Sequence, residues 1–232
     1  MQIITIGARF CGPPDSGNGG YVAGMLAGQS HAPVRVRLRK PPPLNASLVV
    51  HTLDNGGLEL KRDDEVIAEA QRYQVELQAP AAPAYVDALD ASRSYSGFKH
   101  HPYPGCFVCG PQRARGDGLR LFPGTWGSDG MVAAPWMPDA SLCGADGKVC
   151  SEFIWAALDC PGYFAAVNDG RQLLLGEIAA RIDRRVHAAE SCVVVGWRLE
   201  REGRKHIVGT ALYDDDGEPC ARALATWIEV RK

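Results

Sequence analysis

No stretch of the 232 residues stays apolar for the roughly 20 positions that a membrane-spanning helix needs; the longest runs, at 153–158 and 173–175, stop far short. A surplus of either charge is also lacking. With 25 basic and 27 acidic side chains the formal net charge is -2, so no basic field exists to hold nucleic acid or an acidic membrane. The first residues, Met1-Gln2-Ile3-Ile4-Thr5-Ile6, carry no positive n-region and no small-residue cleavage site, and no signal peptide is expected. Eight cysteines are too dilute for a disulfide scaffold, and a chain of this size does not need one. They read as reduced thiols in a cytoplasmic protein. What remains is ordinary for a folded globular chain: 46% hydrophobic and 22% charged residues.

A weak internal repeat organises that material. In the first half the turn Gly17-Asn18-Gly19-Gly20 leads into an apolar stretch at 21–27. An alternating strand follows, with Val34, Val36 and Leu38 on one face and Arg35, Arg37 and Arg39 on the other. An apolar strand at 47–53, the turn Asp54-Asn55-Gly56-Gly57 and a hairpin of 58–62 with 66–77 close the unit. The second half repeats this order. An apolar helical stretch at 149–159 precedes an alternating strand at 178–183, an apolar strand at 192–199, and a hairpin of 205–213 with 220–230 about Asp214-Asp215-Asp216-Gly217. One more strand opens each unit, at 2–10 in the first; in the second, 119–122 and 131–136 flank a turn at 127–130.

Residues 79–118, rich in Ala, Pro and Gly, form a crossover with one helical turn near 85–89, and a connection of that length marks a boundary. The expected organisation is therefore a first unit at 1–78, a linker at 79–118 and a second unit at 119–232. The helix at 149–159 is informative, because Phe153, Ile154, Trp155, Ala156, Ala157 and Leu158 are consecutive and cover every face. A helix apolar all round is buried all round, and one short helix achieves this only if a curved sheet wraps it.

One helix wrapped by a curved antiparallel sheet, occurring twice, resembles the hotdog fold, and the element order resembles tandem chains in which two units fuse into what is elsewhere a homodimer. The expected class is α+β, a double hotdog. Asn18-Gly19-Gly20 is similar to the His/Asn-Gly-Gly turn of the phenylacetate-pathway type of acyl-CoA thioesterases, and Ala157-Leu158-Asp159 to the Leu-Ala-Asp step in the middle of their helix. In that family the acid follows the second glycine by seven residues, and each active site takes the turn from one subunit and the acid from the other. Here seven residues past Gly20 stands Ala27, and seven before Asp159 stands Glu152. The resemblance thus implies one surviving composite site, Asn18, Gly19 and Gly20 facing Asp159, and one lost site at Ala27 and Ser151-Glu152.

The chemistry implied is thioester hydrolysis. A backbone N–H at a helix N-terminus stabilises the oxyanion, glycine lets the substrate approach, and a carboxylate on an apolar helix serves as general base toward water. Asn18 would position the water or the thioester, and Trp155 would line an acyl pocket. An acyl-CoA or acyl-carrier thioester is the expected substrate, no cofactor is called for, and the fused pseudo-dimer could assemble further into a homo-oligomer. Plainer readings stand beside these. Asn18-Gly19-Gly20 also reads as a turn into a helix, and Asp159 as a helix-end residue before Cys160-Pro161-Gly162. An acid at a helix C-terminus is disfavoured by the dipole, which tilts the reading toward function.

Cys106-x-x-Cys109-Gly110, preceded by His100-His101, has the form of a zinc knuckle, but a second spaced pair is wanting, and a structural loop with buried thiols is favoured, with no metal expected. Arg35, Arg37, Arg39 and Lys40 could meet coenzyme A phosphates, although a solvated sheet face is the default. His51, His187 and His206 lack partner motifs. Two rivals to hydrolysis are a non-catalytic acyl-thioester-binding module and a dehydratase or hydratase. The latter needs a histidine near the helix, and none lies between His101 and His187 or before the first helix.

Overall fold

The structure is a computed structural model that describes residues 2–127, 130–167 and 171–230. The first half runs β1 (Gln2–Thr5), α1 (Gly19–Ala27), β2 (Val34–Leu38), β3 (Ser47–Thr52), β4 (Leu58–Arg62) and β5 (Glu65–Arg72). After α2 (Tyr85–Ser92) come β6 (Gly124–Thr125), β7 (Met131–Trp136), α3 (Ser151–Ala157), α4 (Cys160–Ala166), β8 (Leu173–Ile182), β9 (Cys192–Glu202), β10 (Lys205–Tyr213) and β11 (Pro219–Glu229). The strands form one antiparallel sheet in the order β1-β3-β4-β5-β2-β8-β11-β10-β9-β7-β6. Read outward from the β2–β8 joint, each half has the same order, with β6 an addition at one edge. The sheet thus has two curved antiparallel halves joined at β2–β8, each wrapped about a helix, a double hotdog.

Burial follows the alternation in the sequence. On β2, Val34 and Val36 turn inward, while Arg35 and Arg37 stay on the outer face. β9 is apolar without alternation because both of its faces are covered: Cys192 and Val194 join the main core, while Val193, Val195 and Trp197 pack with Ala88 and Ala91 of α2 on the other side. The Pro/Gly-rich stretch before β6 reaches the core as well, with Phe107 and Val108 fully buried. No helix among the described residues is long and apolar enough to cross a membrane.

Three elements here differ from the sequence expectation. The strand expected at 2–10 ends at Thr5 and continues into a short 3-10 helix, Ala8–Phe10. The strand expected at 119–122 is extended chain hydrogen-bonded to the loop of Cys106–Cys109, through Leu119 N–H to the Phe107 carbonyl and Leu121 N–H to the Val108 carbonyl; the pairing with β7 falls at β6. The turn at 127–130 lies partly outside the described residues. The continuous helix at 149–159 is two helices broken at Asp159. Pro161, which has no N–H, sits in the first turn of α4 where none is needed, and Thr210 Oγ1 donates to the Leu158 carbonyl released by the break (2.7 Å). Phe153 through Asp159 are nonetheless buried, as a sheet-wrapped helix requires.

At the β2–β8 joint Glu177 accepts from Arg35 (3.4 Å) and Arg37 (2.8 Å). The Arg37 side chain is 48% exposed, so solvent screens the pair. Glu177→Ala should therefore cost no more than about 1 kcal/mol in urea unfolding, less in 1 M salt. A loss above about 2 kcal/mol would mean that the joint depends on these ions rather than on the ladder and the core beneath it.

Candidate functional site

α1 begins where the Asn18 side chain caps it: Oδ1 accepts from the Tyr21 N–H (2.9 Å), the usual duty of asparagine at a helix start. That bond fixes the amide, so its Nδ2 points away from α1 and donates to Asp159 Oδ2 (2.8 Å). The Gly20 N–H donates to the same oxygen (3.0 Å). Asn18 and Gly20 from the first half thus hold the carboxylate of the second. Asp159 is 2% exposed, and its other oxygen, Oδ1, has no hydrogen-bond partner among the described residues. Burial pushes the Asp159 carboxyl up to about 7, against the Gly20 and Asn18 hydrogen bonds that favour the charged form.

The approach of the two halves is steric as well as polar. A Cβ on Gly20 would lie 2.5 Å from Asp159 Cβ, and one on Gly24 would lie 2.7 Å from Glu152 Cα. The two glycines are one turn apart, so α1 lies directly on α3 along that stripe.

Beside this contact lies a cavity of about 650 Å³, bordered by Asn18, Gly19 and Asp159. The Gly19 N–H makes no hydrogen bond among the described residues and stands at the N-terminus of α1. The walls are mainly apolar, with Leu175, Tyr163, Phe164 and Trp227. Trp227 enters through a bulge: the β8–β11 register slips beside it, between Thr226 and Trp227, so that Gly176 is extra. Its indole N–H is buried without a partner among the described residues.

The structure therefore brings Asn18, Gly19, Gly20 and Asp159 together. Trp155 stands apart from the cavity, its Cβ and ring packed against Gly24. Ala27, Ser151 and Glu152 do not border the cavity either. Arg39 and Lys40 sit at its rim but are paired with Glu69 (2.7 Å) and Glu65 (2.8 Å). His206 is buried and meets Glu229 (2.8 Å) without bordering the cavity, while His51 is exposed.

Three cysteines also border the cavity: Cys106, Cys109 and Cys160. Their sulfurs all lie within 4.8 Å of one another and are buried. The sequence offered the first two as a knuckle without a second pair; Cys160, directly after Asp159, is the residue that sequence reading missed. His101 Nε2 lies 3.3 Å from Cys109 Sγ, and its Nδ1 accepts from the Tyr103 N–H (2.9 Å). With both ring nitrogens engaged, His101 is poorly placed to shuttle protons to a substrate. His100 is exposed.

No protein-family model matches the chain, and no curated protein matches it. Among solved structures, the chain is similar to the tesB protein of Mycobacterium avium subspecies paratuberculosis, with a TM-score of 0.58 at 13% identity over 91% of this chain and 84% of that one. That likeness is one of fold, across nearly the whole length. It also matches a thioesterase superfamily protein at 19% identity and TM-score 0.44, covering 48% of this chain and 54% of that one. A phenylacetic acid degradation-related protein of Ralstonia eutropha matches at 18% identity and TM-score 0.43, covering 47% of this chain and 85% of that one.

Proposed function

We propose that the chain hydrolyses an acyl thioester at one composite site between its two hotdog units. The observation that carries this reading is the Asp159 carboxylate of the second half, anchored through Oδ2 by Asn18 and Gly20 of the first, its Oδ1 buried and unpartnered among the described residues, at a cavity that both Asp159 and Gly19 border. The thioester carbonyl would accept the free Gly19 N–H, where the partial positive charge of the α1 N-terminus favours a developing oxyanion. Asp159 Oδ1 would take a proton from water as the water oxygen attacks the carbonyl carbon. The tetrahedral intermediate then collapses, the C–S bond breaks, and the leaving thiolate takes that proton back from Asp159. The products are a carboxylic acid and a thiol.

Gly20, whose N–H is used by Asp159, acts in this scheme by positioning the base rather than by holding the oxyanion. Apolar walls suit an acyl group, and Arg39 and Lys40 at the rim suit the phosphates of a coenzyme A carrier. The phenylacetate-pathway resemblance makes aryl-acetyl thioesters natural members of the test panel. Trp155 acts from behind, by packing α3 on α1.

A turnover screen of the full chain against acyl-CoAs, from acetyl through long-chain and aryl, tests this reading. Release of free thiol at a saturable rate supports it. Tight binding of several acyl-CoAs with no release would replace it by the non-catalytic binding module. Glu152→Gln, on the half where the acid's partner position is Ala27, should leave turnover within a few-fold of the unmodified chain, since Glu152 is outside the cavity. Collapse of activity in that variant would count against a single site.

A further inference from the structure

We propose that Cys106, Cys109 and Cys160 are thiolate ligands of one zinc ion, bound at the inner end of the cavity. The inference is independent of thioester hydrolysis, because it rests on the sulfurs and their surroundings alone.

The first argument is distance. Zinc binds thiolate sulfur at about 2.3 Å in tetrahedral geometry, which separates any two ligand sulfurs by about 3.8 Å. Cys106 Sγ and Cys160 Sγ lie 3.8 Å apart, and all three sulfurs fall within 4.8 Å of one another. A disulfide needs its sulfurs at about 2.05 Å, so this spacing is that of a tetrahedron's edge rather than of a bond in waiting.

The second argument is the loop. The Gly110 N–H donates to the Cys106 carbonyl (2.9 Å) and closes a tight turn from Cys106 to Gly110. This turn brings the sulfurs of Cys106 and Cys109, three residues apart, within 4.8 Å of each other and of Cys160 Sγ, the form of a metal knuckle. The turn admits only glycine at its close: a Cβ on Gly110 would lie 2.5 Å from the carbonyl oxygens of both Cys106 and Pro104. Thiols that merely fill a core require neither this convergence nor a turn closed to every residue but glycine.

The third argument is His101. Because its Nδ1 accepts the Tyr103 N–H, the proton of the neutral ring lies on Nε2, which then donates to Cys109 Sγ. His101 therefore supports a ligand rather than being one, as outer partners of metal sites commonly do. The three protein ligands leave a fourth position, and the cavity that all three cysteines border is where an outside ligand such as water reaches it. Thiolates select a borderline or soft ion, which excludes magnesium and calcium. The ion would tie the 101–109 loop to the start of α4, and so fix the chain directly after Asp159.

The test uses the full chain, grown with added zinc and purified under thiol reductant without chelator. Elemental mass spectrometry should find about one zinc per chain, with Cys106→Ser and Cys109→Ser falling well below it and Cys143→Ser, outside the cluster, retaining it. If the two cluster variants fail to fold, the unmodified chain decides: stripped and reloaded with cobalt(II), it should show thiolate-to-cobalt charge-transfer absorption and the intense visible bands of a tetrahedral site. Substoichiometric zinc after dialysis against the metal, a cobalt spectrum without thiolate bands, or a Cys106–Cys160 disulfide in the freshly purified chain would each overturn the proposal.

Discussion

Asp159→Asn should lower thioester turnover by about two to four powers of ten, the usual worth of a general base, while leaving the thermal midpoint unchanged or higher. The two halves of this expectation come from different atoms of one side chain. Oδ1 would perform the proton transfer, and an amide cannot. Oδ2 performs the structural work, and the amide oxygen of asparagine can still accept from Asn18 Nδ2 and the Gly20 N–H. The substitution also removes a buried charge with an unpartnered oxygen, an arrangement that costs folding free energy. Steady-state kinetics with the best thioester, together with scanning calorimetry, separates the cases. Turnover within tenfold of the unmodified chain would show that Asp159 only joins the two units. A parallel fall in the midpoint would show that the charge itself holds the junction.

The double unit was legible in the sequence because its signals are local: alternation on β2, Asp/Gly turns between strands, and an apolar helix that leaves no exposed face. The meeting of Asn18 and Asp159 was legible for another reason, that each half carried one part of a pair and lacked the other. Features that depend on the third dimension were not. The break at Asp159 was hidden because an all-apolar run has no period to lose, and Pro161 is tolerated in the first turn of a helix. The true start of β8 at Leu173 was hidden by the bulge at Gly176, which breaks the alternation that Leu173 and Leu175 would otherwise extend. The same bulge turns Trp227 inward. A sequence with tryptophans at both 155 and 227 does not say which one meets a ligand, because a helix buried on every side gives no facing information. Cys160 joins Cys106 and Cys109 only through the placement of α4, which no spacing rule along the chain reports.

Gly20→Ala should destabilise the protein by about 2 kcal/mol or more, although alanine is the better helix former by roughly 1 kcal/mol. The new methyl would stand 2.5 Å from Asp159 Cβ, 2.7 Å from the Trp155 carbonyl oxygen and 3.1 Å from Ala156 Cα. None of these is the end of a flexible side chain, so no rotamer change relieves the clash, and α1 must move off α3. For a chain of this length the loss corresponds to roughly 4–8 °C in the thermal midpoint. The same movement pulls the Gly20 N–H and Asn18 away from Asp159, so activity falls with stability. Gly19→Ala is the contrasting case. Its methyl would meet Leu175 Cδ2 at 2.8 Å and Leu38 Cδ1 at 2.9 Å, two side-chain ends that can turn aside, and Leu175 Cβ at 3.3 Å, which a shift of a few tenths of an ångström relieves. It should lose clearly less stability than Gly20→Ala, yet crowd the N–H that the thioester carbonyl would use, lowering kcat/KM. Calorimetry and kinetics on the two neighbours thus separate helix packing from substrate approach. A Gly20→Ala chain as stable as the unmodified one would refute the close α1–α3 contact. An undiminished Gly19→Ala enzyme would remove Gly19 as the oxyanion donor and leave the carboxylate without its partner in the proposed reaction.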